Sequence, residues 1–154
     1  MGQQQPPDTR AAWGDFPDTV LHFASATTFS VDLRRDIDGA TSAYLSCLGF
    51  ERSFGVVSAQ DPMGVTPTAT ANADLAARLQ TEVAAMRAAY ACLDACNPDR
   101  SHCEKSIAIA LDLQSSIALA YRYNQLAIFW FDGESFWIVP VYSDNAVLRL
   151  PAPT

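Results

Sequence analysis

The run Phe54 to Ala59 is apolar at Phe54, Val56 and Val57, is stopped by Pro62 and Gly64, and passes directly into an alanine-rich amphipathic stretch. A strand apolar on both faces needs cover on both, which places it inside a sheet. Proline cannot extend the strand ladder, so the strand ends before Pro62. The stretch that follows spaces Leu75, Leu79, Val83, Met86, Tyr90 and Leu93 by threes and fours. That period lays them along one stripe of a helix, and the many alanines favour the helical state. The spacing predicts a single long helix, capped by Thr68 or Thr70 and ended by Asn97-Pro98.

The remaining elements follow from the same rules. Phe29, Val31 and Leu33 alternate within Thr19–Leu33, the pattern of a half-buried strand. Thr41 to Phe50 reads as a short helix ending at Gly49, with Tyr44, Leu45 and Leu48 inward. Ser106 to Leu111 is a strand, and Asp112 caps a helix running to Tyr123. Gln125–Phe131 and Ser135–Tyr142 form a hairpin about Asp132-Gly133, read as a primed two-residue turn. The expectation is a single α+β domain. It has a four- to five-stranded mixed sheet, two main helices packed mostly on one face, and a C-terminal hairpin. Residues 1–17 are read as a flexible N-terminal arm, 18–142 as the domain and 143–154 as a tail.

Composition limits the partners. Of 154 residues, 49% are apolar, enough for one core. No apolar run approaches the roughly 18 residues that cross a bilayer, so no membrane partner is expected. The formal charge is −7, with 17 acidic against 10 basic residues and Lys105 the single lysine, so phosphate neutralisation and hence nucleic acid are not expected either. The start, Met1-Gly2-Gln3-Gln4-Gln5-Pro6-Pro7, lacks a basic region followed by an apolar one, which leads to a cytoplasmic expectation.

Polar residues gather where elements meet. Asp61 stands at the carboxyl end of a strand, a usual place for ligand sites in open sheets, although Asp before Pro also serves simply to turn the chain. Asn72 lies at the start of the long helix, where backbone N–H groups face outward. Glu104 and Ser106 share one face of an extended segment, whereas His102 and Cys103, as sequence neighbours, point to opposite faces and cannot act as a direct pair. Gln125 has donor and acceptor capacity at a helix-to-strand turn. Asp61, Asn72, Glu104, Ser106 and Gln125 are therefore the candidate ligand- or partner-binding residues. No phosphate-binding loop, dinucleotide fingerprint, His-Glu-x-x-His or Ser/His/Asp arrangement is present, and no catalytic residue is assigned. Cys92, Cys96 and Cys103 read as free thiols, with a Cys92–Cys103 or Cys96–Cys103 disulfide as the alternative. Cys92, Cys96, His102 and Cys103 have zinc-ligand chemistry, but the adjacent His-Cys pair lacks the usual spacing, so no cofactor is expected.

Four segments occur in a recognisable order: Val56-Val57-Ser58-Ala59-Gln60-Asp61-Pro62-Met63-Gly64; Asn72 with Arg78-Leu79; Glu104-Lys105-Ser106; and Gln125-Leu126-Ala127-Ile128. The chain from about Phe54 to Val139 thereby resembles the uncharacterised bacterial domain-of-unknown-function family numbered 3293. That family's pattern is an apolar strand ending in Ala-x-Asn-Pro, a helix opening with Asn, a Glu-x-Ser strand entry and a Gln-x-Ala. This chain departs from it with Asp61 in place of Asn, with Leu75 and Ala76 in place of Arg and Asn, and with Ser101-His102-Cys103 where a tryptophan is expected. The resemblance implies a bacterial, cytosolic, single-domain protein and no established activity. The leading expectation is a non-enzymatic module that binds a protein or small ligand. Its alternatives are a small hydrolase or transferase with Glu104 or Asp61 as the base, and a cysteine-based metal or redox module.

Overall fold

The computed structural model describes residues 13–24, 28–50, 52–142 and 146–153. Eight strands form one sheet: β1 (Val20–Phe23), β2 (Phe29–Asp32), β3 (Phe54–Ser58), β4 (Tyr90–Cys96), β5 (Cys103–Ile109), β6 (Ala127–Phe131), β7 (Phe136–Pro140) and β8 (Leu148–Arg149). Their spatial order is β2-β1-β4-β5-β3-β6-β7-β8, and every neighbouring pair is antiparallel. Three α-helices accompany the sheet among the described residues: α1 (Gly39–Cys47), α2 (Ala69–Ala84) and α3 (Leu113–Arg122). The expected four- to five-stranded mixed sheet with two main helices is thus corrected.

The largest correction lies in the long apolar stripe. Helix α2 ends at Ala84, the chain turns through Arg87 at φ +59°, and Tyr90 begins β4. The stripe divides because its halves face different cores. Leu79 and Val83 pack with Val57, Ile107, Ile109 and Ile128 on one side of the sheet. Leu93 packs with Phe54, Val56 and Phe129 on the other. A helical period continued by coincidence into a segment whose backbone pairs with β1 and with β5. Tertiary hydrogen bonding overrode a local helix preference. Asn97-Pro98 consequently belongs to the β4–β5 hairpin loop rather than to a helix end.

Two further differences share this origin. Thr19–Leu33 holds two strands, with Leu21 opposite Val31 and Phe23 opposite Phe29. Asp132–Ser135 is a four-residue loop rather than a primed turn, since Phe131 pairs with Phe136. Its Asp132 carboxylate accepts from the Glu134 and Ser135 N–H groups, both at 2.8 Å, and from Trp137 Nε1 at 2.7 Å. Of the expected helix caps, Thr68 Oγ1 accepts from Ala71 N–H at 3.1 Å and Asp112 Oδ1 from Ser115 N–H at 2.7 Å; the short helix expected over Thr41–Phe50 begins earlier, at Gly39, with Asp38 Oδ1 accepting from Thr41 N–H at 2.7 Å.

The two faces are both covered. Helices α2 and α3 lie over β3, β5 and β6 through Leu79, Val83, Leu119 and Ala120. On the opposite face α1 contributes Leu45, and the segment before β1 contributes Trp13, to a cluster around Phe54, Phe129 and Phe136. Gly55 is required at the α3 contact, because a Cβ there would stand 2.6 Å from Ser116 Oγ and 2.8 Å from Ser116 Cβ. Residues 1–12 of the expected arm, and 143–145 and 154 of the expected tail, lie outside the described residues. No described helix is long and apolar enough to cross a membrane.

Candidate functional site

The carboxyl end of β3 leads into a sharply turned segment. Asp61 sits at φ +49°, Met63 at φ +56° and Gly64 at φ +75°, all in the left-handed region. Asp tolerates that region better than most side chains, and a reciprocal pair holds it there. Asp61 N–H donates to Asn72 Oδ1 at 2.9 Å, and Asn72 Nδ2 donates to Asp61 Oδ1 at 2.8 Å. Gln60 ties the same corner to its neighbours. Its Oε1 accepts from Lys105 N–H at 2.7 Å, its Nε2 donates to the Asn72 carbonyl at 3.3 Å, and its own carbonyl accepts from Gln125 Nε2 at 3.0 Å. The first turn of α2, the entry to β5 and the start of β6 are thereby held to the end of β3.

The β4–β5 loop delivers the third group. Asn97 Oδ1 accepts from the His102 N–H at 2.9 Å, and Asn97 N–H donates to the His102 carbonyl at 3.1 Å. Cys96 and Cys103 face each other across the two strands, 4.1 Å apart at Cα, and form a disulfide. With Cys103 directed to Cys96, alternation directs His102 and Glu104 to the same side. His102 Nε2 lies 3.1 Å from Asp61 Oδ2 and 3.7 Å from Glu104 Oε1. The Asp61 side chain is 7% exposed, that of Glu104 23% and that of His102 59%.

The two carboxyl groups are hydrogen-bonded to each other and titrate in opposite directions. Burial, then the hydrogen bond and the negative charge of Asp61, push Glu104 up to about 8. Burial acts to raise Asp61 as well, but hydrogen bonds from Asn72 and Glu104, attraction to His102 and a hydrogen bond from Thr66 outweigh it and hold Asp61 below its ordinary range. One proton between two buried carboxylates is favoured over none, since two adjacent negative charges repel.

This trio floors a cavity of about 590 Å3. Its walls include Trp13, Phe16, Leu126, Phe129 and Tyr142. Phe16 stacks edge-on against Phe129 with ring centres 6.1 Å apart, and Trp13 lies 6.2 Å from Phe16. Among the described residues the lining carries the carboxylates of Asp15, Asp61 and Glu104 and no lysine or arginine. Beneath it, a smaller pocket of about 50 Å3 reaches Ser58, Ser106 and Gln125.

Of the five residues singled out from sequence, Asp61 and Glu104 line the main cavity, Ser106 and Gln125 the smaller pocket, and Asn72 stands behind Asp61 as its hydrogen-bond partner. Gln125 also performs the loop-tying role, donating to the Tyr123 carbonyl at 3.2 Å. Ser106 Oγ donates to the Glu104 carbonyl at 3.2 Å. Sequence reasoning missed His102 as a partner of these carboxylates, although the alternation that joined Glu104 to Ser106 extends back to it. It also missed the aromatic wall, for which the sequence holds no signal.

The free-thiol reading needs correction at two cysteines, where the alternative of a Cys96–Cys103 disulfide holds. Cys96 and Cys103 are bonded to each other rather than free, and Cys92 packs against the cluster beneath α2 and α3. Cys92, Cys96, His102 and Cys103 therefore do not converge as a ligand set. Cys47 and Cys92 are free thiols.

Residues 57–128 match the family described as a protein of unknown function, DUF3293, in agreement with the resemblance drawn from the motifs. The matched segment contains Asp61, Asn72, His102, Glu104, Ser106 and Gln125, whereas Trp13, Phe16, Phe129 and Tyr142 fall outside it. No curated protein and no solved structure matches the chain.

Proposed function

We propose that this DUF3293 protein is a small-molecule-binding module. The cavity takes a compact, largely apolar compound with one polar end set against Asp61, His102 and Glu104. The observation that carries this reading is the composition of the cavity: aromatic walls over a floor of two hydrogen-bonded carboxyl groups and an imidazole, in a volume of about 590 Å3. Small-ligand sites are of this kind, apolar clefts of roughly 300–1,000 Å3 with a few convergent polar groups that fix orientation.

The test is a titration of metal-free protein with benzylamine and with benzyl alcohol, followed by amide chemical shifts. Both rings are expected to shift the amides of Gly64, Asn97 and Leu126. The amine is expected to bind about tenfold more tightly, the equivalent of about 1.4 kcal/mol. A double Asp61→Ala, Glu104→Ala variant that remains folded is expected to lose that preference. Absence of shifts around the cavity at millimolar probe overturns the reading.

A second reading, a small hydrolase or transferase, is supported by the hydrogen bond between the two carboxyl groups. A proton held between Asp61 and Glu104 at a cavity floor is within reach of a bound substrate, and positioned carboxyls serve as general acid and base.

A further inference from the structure

We infer that Asp61 Oδ2, His102 Nε2 and Glu104 Oε1 form a three-ligand site for a divalent transition-metal ion such as zinc, with the fourth position open to the cavity. The inference rests on the reading of this cavity as the ligand site, because the ion would meet the polar end of the bound molecule.

Geometry is the first argument. A tetrahedral ion bonded at about 2.0–2.2 Å holds its ligand atoms about 3.3–3.6 Å apart. His102 Nε2 stands 3.1 Å from Asp61 Oδ2 and 3.7 Å from Glu104 Oε1, and the three ligand atoms all lie within 4.8 Å of one another. The two edges that meet at His102 Nε2 lie within a few tenths of an ångström of that spacing. His102 is exposed enough to make that adjustment, while Asp61 is anchored.

The surroundings are the second argument. Asn72 Nδ2 donates to Asp61 Oδ1 at 2.8 Å, which orients the carboxylate and leaves Oδ2 toward His102. Outer hydrogen bonds that orient a ligand in this way are a regular part of metal sites. The His102 backbone is clamped by Asn97, and the Cys96–Cys103 disulfide closes the strands on either side of the loop.

Charge is the third argument. Among the described residues no lysine or arginine lines the cavity, and the ammonium of Lys105, next in sequence to Glu104, is directed instead to Asp94 at 3.0 Å. Two carboxyl groups and an imidazole thus face each other with no fixed cation among the described residues, and a bound ion would displace the proton that the carboxyls hold. Mixed nitrogen and oxygen ligands suit zinc and its first-row neighbours, and three protein ligands with one open position is the arrangement of zinc sites that bind water or substrate.

The test uses the full chain after dialysis against a chelator, titrated with zinc and with cobalt(II). Native mass spectrometry is expected to show one ion per chain. The visible cobalt spectrum is expected to indicate four-coordinate nitrogen and oxygen ligation without thiolate. His102→Ala removes a largely exposed side chain, and Asp61→Asn retains a carbonyl oxygen for Asn72, so both are expected to fold. Each is expected to weaken binding about 10–100-fold or more. Lack of saturation at millimolar zinc, unchanged affinity in both variants, or a thiolate signature that disappears on Cys47→Ser, Cys92→Ser substitution overturns the inference. The benzylamine titration is performed without metal, so failure of the cavity reading and failure of the metal site register separately.

Discussion

Glu104→Gln is expected to flatten the pH dependence of stability between about pH 5 and pH 8. In the folded chain Glu104 titrates near 8, against an ordinary value of 4.5. Between those values the folded state holds a proton that the unfolded state has released. Stability therefore falls as pH rises through this window, and the loss is complete above the folded value. At 1.36 kcal/mol per unit the ceiling is on the order of 5 kcal/mol. The side chain is 23% exposed, so solvent screens part of this, and a loss of about 2 kcal/mol is the working expectation. Asp61 has the opposite sign: its lowered value contributes stability above its ordinary 3.8 that is lost as pH falls through the folded value, below this window. Glutamine is close in shape, retains a donor for Asp61 and cannot ionise. Urea unfolding of metal-free protein at unit intervals from pH 5 to pH 9 reads the difference. Wild type and variant are expected to be similar near pH 5, with the variant about 2 kcal/mol more stable at pH 9. Parallel stability curves for the two proteins would refute the argument that a partly buried, proton-sharing Glu104 sets the slope.

Other expectations concern the scaffold. Gly55→Ala places a Cβ against Ser116 on α3 and is expected to cost about 1–3 kcal/mol, seen as a lowered unfolding midpoint in urea. Ser116→Ala removes a fully buried hydroxyl that has no hydrogen-bond partner among the described residues, and is expected to stabilise by about 1 kcal/mol in the same assay. Replacing Cys96 and Cys103 by Ser opens a loop with a sequence separation of 7. Calorimetry is expected to register a loss of about 2 kcal/mol. Asp112→Ala removes the cap that accepts from Ser115 N–H, and a loss of about 1 kcal/mol by thermal unfolding is expected.

Parts of the site were legible because short-range rules govern them. Proline and glycine placed a turn after β3, and alternation put Glu104 and Ser106 on one face. The same alternation contains His102, but its meaning depends on Asp61, which arrives from a different strand. The pairing of Asn72 with Asp61 was invisible for the same reason: the two meet only because α2 folds back over the end of β3. The cavity walls come from the segment before β1, from β6 and from Tyr142, and only the packed sheet brings them together.

The sequence by itself determined the elements whose stabilising partners lie a few residues away. These are the existence of helix α1, the capped helix α3, the opening of α2 near Thr68, the apolar interior strand β3 and the β6–β7 hairpin. Tertiary structure decided the rest. Tyr90–Cys96 became a strand because β1 and β5 offered its backbone hydrogen bonds on both edges, and because Leu93 and Val83 are buried on opposite faces of the sheet. β8 exists because β7 presents an edge to it. Convergence of Asp61, His102 and Glu104 is likewise a product of register between β3, β4 and β5, since carboxylates repel in isolation and come together only when packed backbone holds them there.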